Sequence, residues 1–257
     1  FWLKRCFGSS ACLLPSLRTF RSQVAMSSEA GENIRKCQKG LELLNNGDYV
    51  AAEPLLKEAV EMTKAQNNDA TWSWQRCVAQ SLVGQKKFEE AEPFCKKSLS
   101  GFRSRWGEED EDTLDTMLVM AEILHGKGQS HEALPIAEAT LTGLEGNKKR
   151  GPDHVLTLKC KALTATLVGI VQGKVADALE MASAAADTLE SLTEKMKTNS
   201  QSGSRRPSKA ESIVVEQAMD MSDQVFDKYA GHEKSRRPSK GSVDSGSNPS
   251  SRAPSKQ

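Results

Sequence analysis

Along this chain, small, acidic and apolar positions recur in blocks that repeat. The first copy is Asp48-Tyr49-Val50-Ala51-Ala52-Glu53-Pro54-Leu55-Leu56-Lys57 and the second Lys87-Phe88-Glu89-Glu90-Ala91-Glu92-Pro93-Phe94-Cys95-Lys96. A third is Gln129-Ser130-His131-Glu132-Ala133-Leu134-Pro135-Ile136-Ala137, and a fainter fourth is Lys174-Val175-Ala176-Asp177-Ala178-Leu179-Glu180-Met181. Aligned on Ala52, Ala91, Ala133 and Ala178, the steps are 39, 42 and 45 residues. Gly47, Gly128 and Gly173 precede three of the copies, and Thr71-Trp72, Thr113-Leu114 and Thr157-Leu158 open the element before each of the last three. Gly151-Pro152-Asp153-His154 punctuates a loop ahead of the last of these, where Pro and Asp favour a helix start. Each unit is therefore predicted to be a helix A, a short turn and a helix B.

Helix A carries a small residue twelve positions before the marker alanine: Gly40, Ala79, Ala121 and, in the fourth unit, Thr166. Small residues at these places let two antiparallel helices approach closely, while Leu, Met and Phe fill the space beside them. One hairpin cannot bury its own apolar faces, whereas a stack of them can. The fold class predicted over residues 29–198 is all-α: a superhelical α-α solenoid of about four hairpins. Pro54, Pro93 and Pro135 fall at one register. A proline inside a helix costs about 3 kcal/mol, so these sit near the start of helix B or kink it in every unit.

The Ala-Glu-Pro cores, the Thr-Leu marks and Gly151-Pro152-Asp153-His154 together resemble the tetratricopeptide repeat, in the form of about 42 residues typical of kinesin light chain. The resemblance implies that helix A faces line a concave surface in which a partner peptide lies. Such proteins often place an Asn pair there. The matching positions here are Cys37 and Gln38, Arg76 and Cys77, and Leu118 and Val119, with no asparagine among them. The groove-facing polar candidates are Arg76, Gln80, Asp115, Glu122 and His125. Trp72 is expected at a packing position and Trp74 is expected to be partly exposed, a candidate for binding.

Charge changes the picture of the ends. The 257 residues carry a net +1, but residues 1–28 carry +4, residues 29–198 carry −6 and residues 199–257 carry +3. The first methionine is Met26, and residues 1–25 are basic, free of acids and hydroxyl-bearing. That segment reads either as a mitochondrial presequence or as upstream translation. Residues 199–257 are rich in Ser, Arg, Lys, Gly and Pro and are expected to be disordered, as are residues 1–28. One interruption, near 210–230, places Val214, Val215, Ala218, Met219, Val225, Phe226 and Tyr229 at helical spacing. It predicts an amphipathic helix that docks on the repeats or on a partner. Around it, Ser204-Arg205-Arg206-Pro207-Ser208-Lys209 recurs as Ser235-Arg236-Arg237-Pro238-Ser239-Lys240. Two arginines just ahead of a serine resemble the target of a basophilic serine kinase, which makes Ser208 and Ser239 phosphorylation candidates. The added phosphate, about −1.5 to −2 charges, would weaken attraction between a basic tail and an acidic body.

The sequence holds little that points to catalysis. His125 and His131 lack companions for a metal set, the six cysteines form no C-x-x-C pair, and no phosphate-binding glycine loop or nucleophile elbow is present. Neither a metal nor another cofactor is expected. The run Glu108 to Asp112 lacks the alternation of a calcium loop and instead precedes a helix, whose dipole acids favour. Scattered cysteines fit free thiols in a reducing compartment, so the location expected is cytoplasmic, or mitochondrial if residues 1–25 are a presequence. No apolar run reaches the roughly 18 residues of a membrane span, and the acidic body excludes a general nucleic-acid binder. The function expected is that of an adaptor or scaffold holding partner peptides in the groove. The alternative is a positioning part of a larger enzyme or signalling protein.

Overall fold

A computed structural model describes residues 28–65, 70–147, 150–201 and 209–229. Among them are nine helices and no strand: α1 (Ser28–Asn45), α2 (Tyr49–Ala65), α3 (Ala70–Gly84), α4 (Phe88–Trp106), α5 (Glu111–Gly126), α6 (Ser130–Gly146), α7 (Val155–Val171), α8 (Val175–Gln201) and α9 (Lys209–Tyr229). Consecutive helices pack as antiparallel hairpins, α1/α2, α3/α4, α5/α6 and α7/α8, and each hairpin stacks on the next. The chain is an α-solenoid of four helical hairpins with a ninth helix added.

The repeated marks become local physical requirements. Ala52, Ala91, Ala133 and Ala178 are all fully buried, where any larger side chain would push the hairpin open. Gly40 is placed so that a Cβ there would lie 3.1 Å from Leu55 Cβ. In the fourth unit the closest small residue is Ala165, fully buried against Ala178 and Ala182, with Thr166 beside it. The turn residue five before each marker alanine needs a left-handed backbone. Gly47, Gly128 and Gly173 supply it at no steric cost, and Lys86 adopts it in the second unit at φ 60°. Thr113 and Thr157 donate Oγ1 hydrogen bonds to the carbonyls of Gly107 and Gly151, at 2.7 and 2.9 Å, closing the loop ahead of helix A.

The Ala-Glu-Pro core also has a structural explanation. Glu53 pairs with Lys57 one turn on, at 2.6 Å, and with Lys87 across the repeat boundary, at 3.2 Å. Glu92 does the same with Lys96 and Lys127, both at 2.5 Å. The hydrogen bond from Lys57, then that from Gln85, holds the Glu53 carboxyl at a pKa of about 2. Pro54, Pro93 and Pro135 lie inside their helices, beyond the first turn. All three are exposed, and so are Val50, Glu89 and His131, whose carbonyls lose their helical donor. Water can meet those carbonyls on the outer face, which is why the prolines are tolerated there.

Candidate functional site

The faces of α3, α5 and α7 form a continuous concave wall, and side chains leave beside it a cavity of about 680 Å³. The floor is apolar, with Val83, Leu118, Val119, Leu156 and Leu163. Arg76, Gln80, Asp115, Glu122 and His125 all line this one cavity. Helical spacing brings them together: Arg76 and Gln80 lie one turn apart on α3, and Asp115, Glu122 and His125 lie at intervals of seven and three on α5.

Their charges are largely spent on one another. Arg76 spans the second and third units, donating to Asp112 Oδ1 and Asp115 Oδ2 at 3.0 Å each. Asp115 also receives both terminal nitrogens of Arg150, with Nη2 at 3.1 Å. The Arg150 side chain is 1% exposed. Glu122 pairs with Lys159 on α7 at 2.6 Å. Burial pushes the Asp115 carboxyl up, but the Arg150 hydrogen bond and the two guanidinium charges outweigh it, so its pKa lies below the ordinary value. Asp112 goes the other way: burial raises it more than Arg76 lowers it. The acids on this wall are thus neutralised in place. The wall therefore offers an apolar floor with paired charges set in it.

Burial, with help from Lys228, lowers the pKa of His125, whose Nδ1 is buried without a hydrogen-bond partner among the described residues. His154 caps α7: its Nδ1 accepts the Leu156 backbone N–H at 3.3 Å. Burial and then Arg150 depress its pKa, which keeps that nitrogen free to accept.

The opposite side of the cavity is α9. It runs beside α7 in the same direction, with Glu211 by His154 and Tyr229 resting on Gly169. Val215, Ala218, Ser222 and Val225 form its buried row. Val215 and Ala218 pack with Leu158 and Leu189, and Val225 with Ala165, Ala178 and Ala182. A second row, Ile213, Gln217, Met221 and Gln224, faces the cavity. From it, Gln217 Nε2 reaches Tyr49 Oη at 3.1 Å, and Ile213 lies against Gly47. The helix thus joins the last hairpin to the first across the concave face. It carries five acids and only Lys209 and Lys228 as bases, so apolar packing and not a basic charge holds it there.

Sequence reasoning did not single out Arg150, Lys159 or the cavity-facing row of α9. Arg150 sits in a loop with no flanking periodicity, and its partner is 35 positions away. Of the two tryptophans, Trp74 departs from expectation. Trp74 is 5% exposed within the core. Trp72 is half-buried, edge-on to Phe102 and Trp106, and lies over Gly101, where a Cβ would come within 2.3 Å of its ring. Gly101 leaves room for the Trp72 ring to pack closely on the neighbouring helix. Ser208 and Ser239 lie outside the described residues. Among the described residues, no cluster of His, Cys, Asp and Glu could hold a metal ion, and no helix is long and apolar enough to cross a membrane.

Similar architecture occurs among solved structures. The nearly identical TPR-like repeats assigned to a kinesin light chain of Podosopora anserina match with a TM-score of 0.51 and 16% identity, over 79% of this chain and 98% of that one. A substituted variant of the same repeats matches with a TM-score of 0.52 and 16% identity, over 82% of this chain and 100% of that one. No protein-family model matches the chain, and no curated protein does. The fold is that of a tetratricopeptide-like helical-repeat solenoid.

Proposed function

We propose that this protein is a non-catalytic adaptor that holds a segment of a partner protein in its concave groove. The observation that carries the reading is the continuous apolar wall built from α3, α5 and α7, with an adjoining cavity of about 680 Å³. A concave, mostly apolar site with a few fixed polar groups is where ligands bind. Arg76, Asp115 and Glu122 serve it as fixed, paired charges that set the shape of the wall; Gln80 and His125 are the polar groups a partner meets. The four described cysteines are free thiols, which supports a reducing cytoplasmic setting. The duplicated Arg-Arg-Pro-Ser motifs support phosphorylation of Ser208 and Ser239 by a basophilic kinase, with Ser208 next to the first residue of α9.

The test is a pull-down with the full chain and with a Gln80→Arg, Val83→Glu variant. Both positions are half-buried on the cavity wall, so the helices tolerate the change. Partners captured by the wild type should be lost from the variant. Retention of the same partners places binding on another surface and rejects the groove.

A further inference from the structure

The groove already has an occupant, and its form tells what the groove accepts. An extended peptide needs backbone partners along the wall, usually side-chain amides. Here the wall offers a single side-chain amide, that of Gln80, and at the positions where the resemblance places an asparagine pair it has Arg76, Leu118 and Val119. The arginine is committed to Asp112 and Asp115, and the other two are apolar. What lies along the wall instead is an α-helix, whose backbone bonds are satisfied internally and which needs only apolar complementarity.

The fit of α9 is uneven. Its buried row uses small side chains: Val225 sits among Ala165, Ala178 and Ala182, and Val215 and Ala218 lie against Leu158 and Leu189. At the alanine end of that seat less apolar area is gained than leucines would give, because an alanine buries far less than a leucine. Its other row puts two glutamines, Gln217 and Gln224, around Met221 and leaves the cavity beside them. The repeat hairpins, by contrast, are packed with fully buried Leu56, Leu82, Ile123, Leu163 and Leu167. The buried row of α9 holds no side chain larger than valine.

Resting on the groove reading above, we propose that the groove's ligand class is an amphipathic α-helix of a partner protein, and that it binds by exchanging with α9. Such a helix carries small residues along one row, to sit on the alanines of α8. Along the adjacent row, at the places of Gln217, Met221 and Gln224, it carries large apolar residues that fill the cavity. The resident helix keeps the apolar wall covered until a better-fitting one replaces it.

The probe is a fluorescent synthetic peptide of residues 209–229, with a second version bearing Gln217→Leu and Gln224→Leu. Both are titrated by anisotropy into the full wild-type chain and into a full chain with Val215→Asp and Val225→Asp, which releases its own α9. The released chain should bind the peptide, and the double-leucine version about tenfold or more tighter, because each leucine buries apolar area in the cavity. The wild-type chain should bind either peptide at least about tenfold more weakly, since α9 must first leave. The proposal is overturned if the released chain, with its helical circular dichroism intact, binds neither peptide. It is equally overturned if a Met221→Pro peptide, unable to stay helical, binds as well as the parent. Hydrogen exchange on the wild-type chain guards against a variant that fails to fold: α9 amides should exchange as a unit faster than those of α5, and exchange no faster than α5 overturns the proposal. If these fail while pull-down remains sensitive to Gln80→Arg, Val83→Glu, the groove reading stands and only the helical ligand falls.

Discussion

Replacing Asp115 with asparagine removes one charge from the most buried polar cluster and leaves its shape almost unchanged. Asp115 sits on α5 in the third unit, yet it is held by Arg76 from the second unit and by Arg150 from the loop entering the fourth. Its side chain is 9% exposed and that of Arg150 only 1%. Asparagine keeps one acceptor but takes from the buried Arg150 guanidinium the carboxylate that receives both its terminal nitrogens. Removing one partner of a buried pair costs about 3–5 kcal/mol. For a chain of this size each kcal/mol moves the melting temperature by roughly 2–4 °C, so Asp115→Asn should lower it by roughly 6–20 °C. Thermal unfolding followed by circular dichroism reads this directly. Adding Arg150→Met removes the stranded charge and should recover part of the loss, a coupling visible in a double-mutant cycle. The pH dependence has a definite sign. Because the folded Asp115 carboxyl titrates below its ordinary 3.8, its stabilisation is complete above that pH and is lost as the pH falls through the folded value. Wild type and variant should therefore differ fully near neutrality and converge below pH 3.8. A Tm within about 2 °C of wild type at pH 7, less than 1 kcal/mol, would mean that the ion pair contributes nothing net and that the reasoning from burial is wrong.

Other substitutions probe the remaining links. Gly126→Ala should destabilise by about 1–3 kcal/mol, because its Cβ would fall 2.4 Å from the Phe88 ring; an unchanged urea midpoint would show the ring moves aside freely. Lys86→Gly should stabilise by up to about 1 kcal/mol, since Lys86 holds the left-handed turn that glycine holds in the other units, and the same urea titration reads it. Burial pushes the Cys95 and Cys160 thiols up to about 12, so mass spectrometry after brief alkylation at pH 8 should find both unmodified in the folded chain and modified once it is denatured. Because burial and then Lys228 hold the folded His125 below 6.5, partly offset by Glu122, the unfolded state takes up the proton first; stability should fall as pH drops below 6.5, and His125→Gln should flatten that slope.

The repeat register was legible because its requirements are local. A left-handed turn, a buried small residue and a threonine folding back on its loop each need a particular residue at a fixed place, so Gly47, Ala91 and Thr113 show in the sequence. The candidates on the wall were legible for the same reason: helical spacing puts Arg76 with Gln80 and Asp115 with Glu122, whatever surrounds them. Periodicity also marked α9 as a helix with one face to bury.

Tertiary structure alone decided what those faces meet. Whether Asp115 is a solvated acid or half of a buried ion pair depends on Arg150, 35 residues away, and no periodicity reports such a distance. How closely Trp72 packs depends on Gly101 of a neighbouring helix. That α9 lies across the groove, with Gln217 on Tyr49 and an apolar grip despite its acidic charge, follows from how the four hairpins curve. Sequence sets the pattern that each helix must bury; only the superhelix, which sums small angles between stacked hairpins, determines which surfaces come face to face.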